Sequence, residues 1–484
     1  MQLAWLLPHQ IMPCKDRRAN MKKYSRRLFL QQSITAAASF SPLLGILDAL
    51  GQVEAAEING RYKAIVCVLL EGGADVFNMI APTNQSTYND YRQVRGNIAL
   101  PRNSLLGFAH ANNNGNNPLA YGMRNNMTRM HQLFAANKLA IIANVGTLVE
   151  AVTAEDVLNG APVPFELFAH NTQRAQWMFG NATGTVKEGW AGRASHAFYA
   201  SGHPAAAYFN VNIADSNNIL QMGGSAEAIH FSEAEISPNT MKTFGFGPMS
   251  GGGDLGSVYQ ALYQAKQNDT SRLMSALANK RIAELNRPIE LANLFDNVES
   301  FNGFNSGVHE VGKSLGKQLE LVAQILSVKD NFPGQPNRQI FFVNHHGWDT
   351  HDSDNEHQAG YLSDSLGAFQ DAIDSMGLTS QITTFTISDF GRSLTSNGNG
   401  TDHGWGSHAF VMGGAVDGGD IYGSMPELRK DSPDAWFDRM VPTTSMEQYL
   451  ASIVRWFGAT EAELRSIFPN YSLFDSNGLG FMKA

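Results

Sequence analysis

The chain of 484 residues is poor in cysteine, with only Cys14 and Cys67. Cys14 falls in an N-terminal segment expected to be removed, so the mature chain can form no internal disulfide even in an oxidising compartment. Cys67 sits inside the apolar run Ala64–Leu70 and reads as a small buried hydrophobe rather than a redox group. Charge is also scarce: Asp, Glu, Lys and Arg make up 16% of the residues, and the net charge is −9. With no Lys/Arg stripe there is no electrostatic footprint for nucleic acid. Beyond the N-terminal segment no apolar run approaches twenty residues, so no membrane span is expected.

What is present begins near the N terminus. Ser25-Arg26-Arg27-Leu28-Phe29-Leu30 precedes a weakly apolar stretch of small residues that ends at Val53-Glu54-Ala55-Ala56. Paired arginines, a modest apolar region and a small-residue cleavage site are the layout of a twin-arginine export signal. We therefore expect residues 1–56 to be a signal peptide, with Met21 as an alternative start. The expected partner during export is the twin-arginine translocon, and the expected destination is the periplasm or the exterior. An ordinary basic surface helix is the bland alternative.

About 430 residues then remain, enough for one large α/β domain over 57–484. Tyr62–Leu70, Leu139–Val145, Gln339–Val343, Ile382–Ile387 and Ala409–Met412 are apolar runs without polar alternation, as suits strands covered on both faces. Leu362, Leu366, Phe369, Ile373 and Met376 mark one amphipathic helix, and Val311, Leu315, Leu319 and Val322 another. Alternation of strand and helix predicts an α/β fold with a mainly parallel sheet. Residues 111–117 and 249–256 read as Asn/Gly-rich loop and glycine-rich segment, and 150–300 as a cap or insertion.

The chemistry concentrates between Val343 and His408, which holds His345, His346, His351, His357, His403 and His408 of the fourteen histidines. Open α/β sheets place ligands beyond the carboxyl ends of their strands. Asp75 follows the first strand, Asp349 and His351 follow the Gln339 strand, Asp389 follows the Ile382 strand, and Asp402, His403 and His408 precede the last. Imidazoles and carboxylates gathered in this way suit a divalent metal. Each group has a plainer reading. Asp349 and His351 could cap the helix beginning near Glu356, Asp389 could pair with Arg392, and Asp402-His403 could be a surface turn. His345 and His346 read as supporting or core groups, His170 as core or active-site histidine, and Gly413–Gly419 as a turn.

Several elements together carry a resemblance: Leu70-Glu71-Gly72-Gly73-Ala74-Asp75, Gly184 with Gly189-Trp190-Ala191-Gly192-Arg193, Gly347-Trp348-Asp349-Thr350-His351, Ser388-Asp389-Phe390-Gly391-Arg392-Ser393, Gly400-Thr401-Asp402-His403-Gly404 and Gly413-Gly414-Ala415-Val416-Asp417-Gly418-Gly419. Over essentially the whole mature sequence the chain resembles an exported domain-of-unknown-function family, fifteen-oh-one, within the alkaline phosphatase and sulfatase superfamily. That resemblance implies an alkaline phosphatase-like scaffold with insertions, two divalent metals about 4 Å apart, and transfer of phosphoryl or sulfuryl groups. It implies Asp75 and Asp389 on one metal and Asp349, His351 and His403 or His408 on the other. Zinc is the first expectation, with calcium, magnesium or manganese as alternatives.

Two departures matter. Asp349-Thr350-His351 has one residue between ligands where the phosphatase pattern has three, and Phe390 stands where an imidazole is usual, so His403 is expected to restore the ligand count. Where relatives carry a Ser-His pair, this chain has Ala169-His170, leaving Thr172 or Thr147 as candidate nucleophiles. The expected catalytic residues are His170, Arg392 and Thr172, with direct attack by hydroxide that the metal activates favoured over a covalent route. The expected function is an exported metal-dependent hydrolase or transferase of a phosphate or sulfate ester; the alternative is a non-catalytic scaffold or binding protein on the same fold.

Overall fold

Apolar runs set the centre of the molecule. The computed structural model describes residues 61–108, 120–199, 203–214, 218–225, 228–231, 261–279, 281–282, 294, 298, 301–304, 314–474 and 478–483. The expected signal segment, both glycine-rich stretches and Val311 lie outside the described residues. Among the described residues the principal sheet has nine strands: β1 Lys63–Leu70, β2 Leu139–Gly146, β3 Asn210–Asn212, β4 Ile229–His230, β5 Arg338–His345, β6 Ile382–Ser388, β7 Ser407–Met412, β8 Ile421–Tyr422 and β9 Thr444–Ser445. Their order is β8-β2-β7-β6-β1-β5-β3-β4, with β9 also pairing to β2. All five strands expected from sequence are present. The sheet is mainly parallel, as expected; β7 runs antiparallel to both of its neighbours.

Burial on both faces explains the unbroken apolar character of β1. Ala64, Val66, Val68 and Leu70 point into one core, and Ile65, Cys67 and Leu69 point into the other. The cores are closed by helices Leu315–Ser327 and Glu356–Ser375 on one side and Met446–Phe457 on the other. Each of the Val, Leu and Ile side chains among these contributes about 1.5–3 kcal/mol on burial, so Ile65→Ala would cost about 2–5 kcal/mol. Cys67 is buried and unpaired. The segment expected as a cap supplies β3 and β4 to the sheet edge and the helix His170–Phe179. No helix among the described residues is long and apolar enough to cross a membrane.

The register brings the strand exits level. Leu70, the last residue of β1, lies opposite His345 of β5 and Ser388 of β6. The residues that follow, Glu71–Asp75, His346–His351 and Asp389–Arg392, therefore emerge along one edge. Because β7 is reversed, its amino end and the preceding hairpin, Arg392–Ser396 against Thr401–His403, return to that same edge.

Candidate metal centre

Gly72 allows the first turn to approach the second. It has φ +121°, and a Cβ there would collide with the backbone nitrogen of Asp349. Trp348 N donates to Glu71 O at 3.2 Å, fixing the two loops together. Asp349 is thereby presented at the edge, with its side chain 47% exposed.

Around Asp349 stand three imidazoles. His351 Nε2 is 3.0 Å and His403 Nε2 3.4 Å from Asp349 Oδ1, while His170 Nε2 is 3.5 Å from Oδ2. His351 and His403 face each other through their Nε2 atoms at 3.0 Å. Potential ligand atoms of His170, Asp349 and His403 all lie within 4.8 Å of one another. Phe390, the departure from the usual imidazole noted above, forms an apolar floor between two of these rings, 4.7 Å from His170 and 4.6 Å from His403.

The other nitrogen of each key imidazole is already assigned. His170 Nδ1 lies 2.8 Å from Asp389 Oδ2, and His403 Nδ1 lies 2.8 Å from the carbonyl of Phe168. Donation from Nδ1 leaves Nε2 of each ring as the acceptor turned toward Asp349, unpartnered in His170 and met by His351 Nε2 in His403, the arrangement that orients metal-binding histidines. His170 Nε2 is buried without a hydrogen-bond donor of its own. Two imidazoles and a carboxylate aimed at one point fit a zinc-like divalent ion with an open coordination position.

Asp389 is not a member of this trio but its support. It is fully buried, and Arg174 embraces it with Nε and Nη2, each 2.9 Å from a carboxylate oxygen. Arg174 also reaches Glu71, which in turn meets His346 Nδ1 at 2.9 Å. Burial raises the Glu71 pKa, but His346, Arg174 and Asn344 outweigh it and bring it down to about 2. The alternative reading of Asp389, an ion pair with Arg392, is not realised. Arg392, wholly buried, instead donates to Asp349 Oδ1 at 2.9 Å and to the Thr401 carbonyl at 2.8 Å. Burial also raises the pKa of Asp349, but the Arg392 hydrogen bond and charge hold it below the ordinary carboxylate value. Burial lowers that of His403.

Two residues expected as ligands are directed elsewhere. Asp75 is buried against the guanidinium of Arg95, itself anchored on Ser393 O and Leu394 O at 3.0 Å, so its charge is neutralised inside the protein. His408 accepts from Asn144 N at 3.1 Å and packs edge-on to Phe77; burial pushes its pKa down to about 4. Asp402 is exposed and only flanks the group, 3.4 Å from His351 Nδ1. Neither Asp349 nor His351 caps the helix Glu356–Ser375; Asp354 Oδ1 accepts from Glu356 N at 3.1 Å there. Thr172 donates to Glu166 Oε2 at 2.5 Å, and Thr147 accepts from Gln173 at 3.4 Å, so neither hydroxyl is assigned to the cluster.

Arg174 is a residue of the candidate site that sequence reasoning missed. Its signal is local: four residues after His170, it must share a helix face with it, and both then address Asp389.

Fold and cluster together define an α/β protein with a His-Asp-His group of metal-ligand type at its strand exits. Residues 334–437 match the family described as "Protein of unknown function (DUF1501)", the family that the motifs resemble. No curated protein matches the chain. Among solved structures it is similar to the PsFucS1 sulfatase from Pseudoalteromonas sp., at 9% identity and TM-score 0.34, covering 86% of this chain and 71% of that one. It is also similar to the alkaline phosphatase of the Antarctic bacterium TAB5, at 9% identity and TM-score 0.28, covering 73% and 92%. A third is the lipoteichoic acid synthase LtaP from Listeria monocytogenes, at 9% identity and TM-score 0.31, covering 82% and 72%.

Proposed function

We propose that the protein is an exported, metal-dependent hydrolase or transferase acting on a phosphate or sulfate ester. The observation that carries this reading is the convergence of His170 Nε2, the Asp349 carboxylate and His403 Nε2, with both imidazoles committed through Nδ1. These three residues would hold the ion. A divalent metal supplies Lewis acidity and can lower the pKa of water from about 15.7 to about 7, so no side-chain nucleophile is required. The chain's own groups do the rest. Asp389 orients His170, Arg174 holds Asp389, and Arg392 holds Asp349 from below. His351, half-exposed and flanked by Asp349 and Asp402, is placed to carry a proton to the leaving oxygen. The twin arginines, Arg26 and Arg27, support delivery through the twin-arginine translocon to the periplasm or beyond.

The test is metal content and turnover together. The exported protein should bind a divalent ion, and His403→Ala or Asp349→Ala should lose both the ion and turnover of a generic ester, whereas Thr172→Ala keeps them. Equal loss in Thr172→Ala would restore a covalent route. A second reading, a binding protein on the same scaffold, is favoured by one observation: Ala169 precedes His170, and the nearby Thr172 hydroxyl is engaged by Glu166. Bound metal without turnover across a broad ester panel would decide for it.

A further inference from the structure

Beside the cluster the surface is aromatic. Phe168, whose carbonyl holds His403, stacks on Trp436 with ring centroids 6.1 Å apart and planes 25° from parallel. Trp436 meets Phe437 at 5.5 Å. Phe437 is 77% exposed, and Phe165, in the same loop as Phe168, is 67% exposed. Arg439 ties this rim to the site: its Nε donates to His403 O at 3.2 Å, and its guanidinium lies 5.4 Å from the centre of the Phe168 ring.

The rim is held at some cost. Trp436 pairs with Arg439 across a tight hairpin, so Phe437 and Asp438 form its turn. Phe437 has φ +55°, a left-handed conformation that glycine adopts without steric penalty. Phe168, at +73°, and Glu166, at +46°, are in the same region. Bulky residues retained in such conformations beside a cluster of ligating groups are where strain serves a site. Nor does burial account for Phe437, which leaves most of its ring in water.

We propose that Phe437 and Trp436, backed by Phe168, form a shelf on which the ring of a ring-bearing ester stacks while its charged ester group sits at His170, Asp349 and His403. This rests on the ester-hydrolase reading above. The shelf is continuous with the cluster through the Phe168 carbonyl, and Arg439 places a positive charge at the junction, where an anionic ester group would lie. A flat aromatic face receives either the C–H face of a pyranose or the π face of an aryl group; the shared chemistry is a six-membered ring with one apolar face. Phe437 and Trp436 touch the substrate ring, and Phe168 is a positioning residue that aligns both the shelf and His403.

The experiment titrates the zinc-loaded full chain calorimetrically with glucose 6-sulfate, phenyl sulfate and ethyl sulfate, and with the three corresponding phosphates. Ring esters should bind more tightly than ethyl esters. Phe437→Ala should weaken the ring esters by about 3- to 10-fold, the range that aromatic stacking supplies, and leave the ethyl esters unchanged; Phe437→Tyr should restore binding. Whether the sugar or the phenyl series responds identifies the ring. Because Phe437 is mostly exposed, its removal leaves the core intact, and KM should move while kcat does not. If ring and ethyl esters bind wild type and Phe437→Ala alike, the shelf is refuted and the ester site stands. If none of the six esters binds the metal-loaded wild type, the ester reading itself falls and takes the shelf with it.

Discussion

Replacing Arg174 with methionine should expose how the site is held. The change keeps most of the apolar stem and removes the guanidinium that donates 2.9 Å bonds to both oxygens of Asp389. Asp389 is 0% exposed and would keep only His170 as a partner, whereas Arg174 itself is 26% exposed. Breaking a buried pair from one side costs about 3–5 kcal/mol, and the partial exposure of Arg174 argues for the lower end, about 3 kcal/mol. An unfolding entropy of about 2.1 cal/mol/K per residue gives about 0.9 kcal/mol/K over some 420 residues, so Tm should fall by about 3–4 °C. Calorimetric melting would read this directly. Arg174→Met combined with Asp389→Asn should recover at least half the loss, because no uncompensated charge then remains buried. A single variant melting within 1 °C of wild type would refute the reasoning; so would a double variant no more stable than the single one, which would point to lost packing instead.

Three further outcomes are expected. Asp389→Asn should weaken metal affinity by about 10- to 100-fold in a chelator competition, as loss of a histidine's orienting carboxylate does; unchanged affinity would remove Asp389 from that role. His408 has its folded pKa lowered from 6.5 to about 4, so below pH 6.5 the unfolded chain gains a proton that the folded chain refuses. Stability should therefore be fully present above pH 6.5 and fall by an amount on the order of 3 kcal/mol as pH drops toward 4. His408→Gln should flatten that part of the melting curve against pH, and an unaltered slope would count against burial as its cause. Lys at both Arg26 and Arg27 should leave the precursor uncleaved in the cytoplasm, and normal export of that variant, seen by fractionation, would exclude the twin-arginine route.

The sheet was legible because strands buried on both faces must be apolar at every position, and Lys63–Leu70 meets that demand with a single charged residue at its start. Direction was not legible. Ser407–Met412 reads as the same kind of run as its neighbours, and nothing in a two-face apolar strand encodes which way it points; only the hairpin 392–403 turning the chain back reveals it. At the site, strand exits flagged Asp349, His351 and His403, and the structure places the three side by side. They also flagged Asp75, because an exit carboxylate looks the same whether it faces a metal or a buried arginine, and Arg95 is twenty positions away on the helix Gln85–Arg95. His408 was drawn in by adjacency, although its position within β7 points it at Asn144 and Phe77 rather than at the edge. Sequence spacing also could not say that Arg392 would pass over Asp389, three residues away, for Asp349.

The position of β1 also sets a timetable. The first strand of the principal sheet lies between partners made late in synthesis: Tyr62 bonds to Gln339, 277 positions further on, and β6 comes later still. At ribosomal rates of about 5–20 residues per second, roughly 14–55 s pass before the second partner of that hydrogen bond exists. During that interval Ala64–Leu70 is an unpaired, sticky segment with no native edge to join, so the nascent chain calls for a chaperone to shield it. Pairings this distant in sequence also make folding slow once synthesis ends. On the proposed twin-arginine route, a carrier that accepts only finished, folded cargo would have to wait for those late strands before exporting the chain.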